Sequence, residues 1–367
     1  MNRRDFIKTT SLLPAAAAVA VLPQFSLSAF AAAAKWRVFE VTTKVEVLKP
    51  EGTTRAWLPL PLVADTDYQK NLGSTWSIEG GTAVTGMDGK YGAEFIAAEW
   101  PASVTAPVVV ATSRFATMDR AVDLSKPGRP VKAERAELQR YLAATEYMPT
   151  DGIVRDTARD ITKGVRGGDV EKARAIYEWI VENTFRDPKT RGCGIGDIKT
   201  MLETQNLGGK CADLNALFVG LARASGIPAR DVYGVRVAKS EFGYKSLGVG
   251  NDNVTRAQHC RAEFYVESHG WVPVDPADVR KVVLEEPPGN LAITDEQVKI
   301  ARERLFGSWE MNWFAYNFAH DVELRGSHRK PLGYLMYPQG ETAEGPLDSL
   351  DPEHFKYSIS VHEVESR

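Results

Sequence analysis

Cysteine is scarce in this 367-residue chain: there are three, at 193, 211 and 260, and no Cys-x-x-Cys pair. Three cannot build a disulfide scaffold; at most one bridge can form, so at least one thiol must stay free. The six histidines are scattered without ligand spacing, so neither a metal site nor a cofactor is expected. A basic stretch is also missing. The formal net charge is −3, and residues 1–34 carry +2 of it, so the remainder stands near −5. A mildly acidic chain without a cationic footprint is a poor partner for nucleic acid. No internal repeat or low-complexity tract occurs beyond residue 34. What is present in quantity is core-forming material: 43% of residues are hydrophobic and 25% charged, enough for a substantial interior and two domains.

The first residues read as an address. Arg3-Arg4 opens a twin-arginine pattern, an almost wholly apolar run follows from Ser11, and Ala29-Phe30-Ala31 offers a small-x-small cleavage site. This order predicts an export signal over residues 1–31 rather than an uncleaved anchor. Pro14 and Pro23 interrupt the run, whereas a spanning helix wants about 20 clean apolar residues. No cysteine follows the apolar stretch, which argues against a lipid anchor. The expected product is periplasmic or secreted by the twin-arginine route, with no stable membrane insertion after cleavage.

Residues 35–120 read as a β domain. Phe39, Val41, Thr43, Val45 and Val47 alternate with polar neighbours at period 2, and Gly80-Gly81, Asp88-Gly89 and Tyr91-Gly92 punctuate further short strands. The texture changes after Pro127-Gly128, and residues 130–367 form the second unit. Helices are predicted over 134–147, 151–165, 169–184, 198–203 and 295–305. Another starts at Cys211 and stops at Gly226, with Pro228 just beyond. Strands are predicted near 231–238, 257–267, 271–275, 316–324 and 357–364. Helices gathered ahead of strands, rather than alternating with them, indicate an α+β fold behind an all-β, sandwich-like domain.

Cys211 follows Gly208-Gly209-Lys210 and opens an apolar helix. A thiolate is the attacking form of cysteine, and a helix N-terminus or a nearby cation lowers its pKa. First-turn N–H groups could also hold an oxyanion. The bland alternative is a small buried residue at the start of a core helix. A nucleophile needs a base, and the base a partner. In Gln258–Val266, Cys260, Ala262, Phe264 and Val266 form an apolar face, and His259, Arg261, Glu263 and Tyr265 a polar one. The chain turns at Ser268-His269-Gly270 and returns to Asp275, which lies diagonal to His259 on the polar face. Cys193 sits in a glycine-rich loop and is open to three interpretations: a free thiol, a partner for Cys260, or a small loop residue.

Gly209-Lys210-Cys211-Ala212-Asp213-Leu214, the following segment to Arg230, His259-x-x-x-Glu263-Phe264 and Gly270-Trp271-Val272-Pro273-Val274-Asp275-Pro276 together resemble the transglutaminase-like superfamily, whose core is similar to papain's. That resemblance implies Cys211 as nucleophile, His259 as general base and acid, and Asp275 as the group that orients it. It also implies a thioester acyl-enzyme formed on a peptide or protein amide. Water as acceptor makes a peptidase or amidase, the favoured outcome; an amine acceptor makes a transglutaminase. A non-catalytic cell-envelope binding protein is the rival of another class. The family often carries an aromatic where Arg261 stands, on a face expected to line the cleft. Gln205 and Asn206 are candidates for a second oxyanion donor. Oligomeric state is not encoded in these patterns.

Overall fold

A computed structural model describes residues 35–126 and 128–364; the predicted export signal lies outside them. Among the described residues no helix is long and apolar enough to cross a membrane. The period-2 segment becomes the strand Arg37–Val47, with Val41, Val45 and Val47 buried on one face. It pairs antiparallel with Val108–Thr117 on one side and with the closing strand Phe355–Val364 on the other. Gln69–Ile78 completes this four-stranded sheet. A five-stranded sheet, built around Thr54–Pro59 and Glu94–Trp100 and including Gln339–Thr342, faces it. Val45, Val47, Val109 and Ala111 from the first sheet meet Leu58, Ile96 and Trp100 from the second in one apolar cluster. Two sheets with a shared dry layer are a sandwich, and the last strands of the chain lie in the same sheets as the first.

The second layer system is a helical core against an antiparallel sheet ordered Gly270–Val274, Gln258–Val266, Ala229–Arg236 and Trp313–Asn317. Cys211–Ala224 is its central helix, and every residue from Cys211 to Arg223 is buried. Gly226 takes φ +81° just past the helix end, a left-handed turn that glycine adopts without strain. Asp169–Asn183 packs alongside with Ala173, Ile176, Tyr177, Ile180 and Val181 inward, as helical spacing requires.

The helix expected over 134–147 is shorter, Arg135–Arg140. Beyond it the backbone serves tertiary partners: the Tyr141 carbonyl accepts Ala229 N at 3.0 Å and the Ala143 carbonyl accepts Arg223 Nη1 at 2.9 Å. The strand expected over 316–324 is two pieces, Trp313–Asn317 and His320–Val322. One further helix, Pro276–Glu285, is absent from the sequence-based assignment. Its start carries a signal all the same: Asp275 caps the Asp278 N–H and Pro276 fills the first helical position.

Candidate active site

Two hydrogen-bond patterns hold Cys211 at its helix start. Lys210 N donates to Asp213 Oδ2 at 3.0 Å, and Asp213 Oδ1 accepts Ile195 N and Gly196 N, each at 2.9 Å. Asp213 therefore caps the helix and anchors the Arg191–Asp197 loop with the same carboxylate. The loop answers with its own backbone, since the Cys193 carbonyl takes Ala212 N at 2.9 Å. Asp213 N and Leu214 N both turn to Lys210 O. Among the described residues this leaves the N–H of Cys211 itself as the first-turn donor without a partner. The Lys210 ammonium is turned to Thr190 O, to which Nζ donates at 2.7 Å. The Gln205 amide caps its own helix at Leu202 O, 2.7 Å, and Asn206 Oδ1 accepts Gly208 N at 3.3 Å.

His259 and Asp275 meet as the hairpin register requires. Ala262 pairs with Val274, so the position of Asp275 falls beside Arg261 and diagonal to His259. His259 Nε2 lies 2.7 Å from Asp275 Oδ2. The Cys211 thiol interacts with the same imidazole, and Nδ1 is the ring nitrogen not committed to Asp275. Asp275 is fixed from several sides: Oδ1 accepts Asp278 N at 3.0 Å and Asn215 Nδ2 at 3.3 Å, and its own N–H goes to Leu305 O. Trp313 Nε1 donates to the His259 carbonyl at 2.8 Å. The structure thus brings together all three residues singled out in the sequence.

The polar face of the His259 strand does not line a cleft. His259, Arg261, Glu263 and Tyr265 are all buried, and Trp309 and Trp313 lie against Arg261. Arg261 donates to Glu310 O at 2.9 Å, its guanidinium sits 4.8 Å from the Trp313 ring centre, and its Nε lies 3.7 Å from Asp275 Oδ2. Glu263 is held by Arg230 at 2.7 Å and by Arg120. Charges are tolerated in such an interior when paired and hydrogen-bonded.

Sequence patterns missed a second ion pair at the site. Arg236 Nη2 holds both oxygens of Asp278 at 2.6 Å, and Asp278 Oδ1 lies 3.4 Å from His259 Nε2. His259, Asp275 and Asp278 group closely enough to suggest a cation site. They are not assigned as one, because Asp278 is already taken by Arg236 and His259 by Asp275. Asp278 could have been suspected from Asp-Pro-Ala-Asp, which puts both carboxylates in the first turn of one helix. Arg236 carried no such signal.

The electrostatics follow from these contacts. Hydrogen bonds from Cys193 and Cys260, together with the bond and charge of His259, hold the Cys211 thiol well below its ordinary pKa despite burial. The same contact with Cys211, with burial, pushes Cys193 well up, and burial followed by Cys211 does so for Cys260. Burial is the largest single influence on His259 and lowers it, as does Arg236. Asp278 and Asp275 outweigh them and raise it to about 9. A thiolate beside an imidazolium is the favoured pairing. All three cysteines are free thiols. Cys193 lies between Cys211 and the Tyr337 hydroxyl and donates to Gln258 O at 3.4 Å. Beyond Tyr337 an open groove of about 480 Å³ is walled by Gly194, Ile195, Tyr147, Tyr334 and Tyr337. Tyr334 is tied to the loop through Gly194 O at 2.8 Å.

The family model described as the transglutaminase-like superfamily matches residues 155–276. An uncharacterised protein of Haemophilus influenzae is 35% identical over 340 residues, spanning 87% of this chain and 90% of its own. A protein of Cytophaga hutchinsonii, provisionally described as a cysteine protease, superposes with a TM-score of 0.55 at 13% identity, over 91% of this chain and 92% of that one. The periplasmic domain of TgpA from Pseudomonas aeruginosa matches at a TM-score of 0.33 and 15% identity, over 70% of this chain and 93% of its own.

Proposed function

We propose that this chain, which belongs to the transglutaminase-like superfamily, is a cysteine acyl-transfer enzyme that hydrolyses a peptide or protein amide. The observation that carries the proposal is one buried arrangement: His259 Nε2 bound to Asp275 at 2.7 Å, with the Cys211 thiol against the same ring at a helix N-terminus. In the first half-reaction the Cys211 thiolate attacks the amide carbonyl, and the oxyanion forms at the Cys211 N–H. The His259 imidazolium then gives its proton to the departing amine, leaving a thioester. In the second, His259 takes a proton from water as that water attacks the thioester, and the acid leaves with the thiolate restored. Asp275 holds the imidazole in orientation and stabilises its charged form. An amine in place of water gives transglutamination from the same thioester. A binding protein would have no need to keep three such groups in register.

The twin-arginine pattern and apolar run at the N-terminus support an activity in the periplasm or outside the cell, which makes cell-envelope peptides candidate substrates. N-terminal sequencing of the protein recovered from cells tests that placement, since a retained residue 1 would overturn cleavage. For the reaction, a panel of glutamine-containing peptides is incubated with and without a primary amine. Turnover lost in Cys211→Ala supports the nucleophile, and turnover kept there overturns it. Ammonia release without amine incorporation supports hydrolysis, whereas dominant incorporation would replace it with transglutamination.

A further inference from the structure

The orienting carboxylate is not the only one that faces His259. Asp275 and Asp278 lie in the first turn of one helix, three residues apart, and both reach Nε2: Asp275 Oδ2 at 2.7 Å and Asp278 Oδ1 at 3.4 Å. Asp278 is 1% exposed and its partner Arg236 is 3% exposed. Arg236 is itself fixed, donating through Nη1 to Leu247 O at 2.7 Å. A buried pair of this kind is seldom worth more to stability than apolar residues of the same volume. Its place beside the base suggests a different use.

We propose that Asp278, held by Arg236, is a positioning residue for acyl transfer: it keeps His259 charged, and through His259 keeps Cys211 a thiolate. The inference rests on the assignment of Cys211 and His259 as nucleophile and base. The charged groups around the ring support it. Asp275 and Asp278 approach from the Pro276–Glu285 helix, Arg236 from the neighbouring strand, Arg261 from the ring's own strand, and Cys211 from the central helix. Two carboxylates are matched by two guanidiniums. The proton of the Cys211–His259 pair can therefore sit on the imidazole without leaving net charge in the interior. Take Asp278 away and the balance fails. Arg236 then faces the imidazole uncompensated, and two guanidiniums oppose a single carboxylate. Asp275 orients the ring, and Asp278 adds the second negative charge that helps it hold its own. The direction found for His259, up to about 9 with Asp278 the leading upward influence, agrees with that geometry.

The test is a pH titration of the Cys211 thiolate by its ultraviolet absorbance in the folded protein, as the difference from Cys211→Ala in each background. The His259 ring is followed by NMR in parallel. The wild type should show a depressed thiolate midpoint that rises in His259→Ala; an ordinary midpoint in the wild type, or one that His259→Ala leaves unmoved, would refute the assignment of the pair itself. Given that depressed midpoint, Asp278→Asn should raise it by about 1–3 pH units. Arg236→Met should leave it unchanged or lower it, and the double variant should fall between the two. An unshifted midpoint in Asp278→Asn would overturn the role of Asp278 while leaving the Cys211–His259 pair standing. A rise in Arg236→Met would overturn it too, because a merely structural pair would respond alike to losing either partner. If Asp278→Asn fails to fold, the sign of the Arg236→Met shift decides.

Discussion

His259→Gln removes a buried titrating group whose protonation the fold controls, so its cost in stability should change with pH by a calculable amount. In an unfolded chain histidine titrates near 6.5; in the fold His259 is raised to about 9. Burial and Arg236 push down, and the two carboxylates more than reverse them. A folded pKa above the unfolded one means the native state binds the proton more tightly. The contribution is therefore fully present below about pH 6.5 and is lost as pH rises through about 9. At about 1.4 kcal/mol per pKa unit, the pH-dependent part is about 3 kcal/mol. The comparison belongs in a Cys211→Ala background, where the thiol's own titration drops out. Urea unfolding at about pH 6 and about pH 9.5, on either side of the window, gives the difference between chains with and without the His259→Gln substitution. The loss caused by His259→Gln should be larger at the lower pH by about 3 kcal/mol, and the constant effects of the substitution cancel between the two conditions. A difference that stays flat, or grows with pH, would refute the claim that the two carboxylates hold His259 charged.

Other predictions concern the frame. Asp213→Ala strips the acceptor from Ile195 N, Gly196 N and Lys210 N together. It should cost about 2–4 kcal/mol in urea unfolding and speed proteolytic nicking in the 191–197 loop. Gly194→Ala should be at least as damaging. At φ +97° its Cβ would lie 1.9 Å from Asp213 Oδ2, so strain and collision coincide, and an unchanged Tm would contradict the described loop. Trp313→Phe keeps an aromatic ring beside Arg261 but leaves the buried His259 carbonyl without its indole donor. A loss of about 1–3 kcal/mol is expected, again from the urea midpoint.

Much of this site could be read from pattern. The Gly208-Gly209-Lys210-Cys211 entry to an apolar helix, the alternation around His259 and the hairpin count to Asp275 are local signals, and strand pairing carried them intact into space. The sandwich was legible for the same reason, since period 2 in Arg37–Val47 reports one buried face. What pattern could not show depends on what covers each element. Arg261 looked like a cleft residue because alternation marks it as polar, yet Trp309 and Trp313 enclose that face. Arg236 lies in a strand whose every residue is buried, so no alternation marked it, and its partner Asp278 is distant in sequence. Cys193 reaches Cys211 only because Asp213 pins the intervening loop. The pairing of Phe355–Val364 with the first strand joins the two ends of the described chain, and no local rule encodes that.

The central claim is that His259 and its carboxylates, beside Cys193 and Cys260, hold Cys211 as a thiolate, and exposure supplies the contrary expectation. Cys193 is 7% exposed, Cys211 3% and Cys260 0%, so access alone would put Cys193 first. Iodoacetamide labelling of the folded protein at mildly acid pH, mapped by peptide mass spectrometry, separates the two. Cys211 should be alkylated well ahead of Cys193 and Cys260, and His259→Ala should weaken that preference. Labelling of Cys193 ahead of Cys211, or a preference for Cys211 that His259→Ala leaves undiminished, would contradict the account.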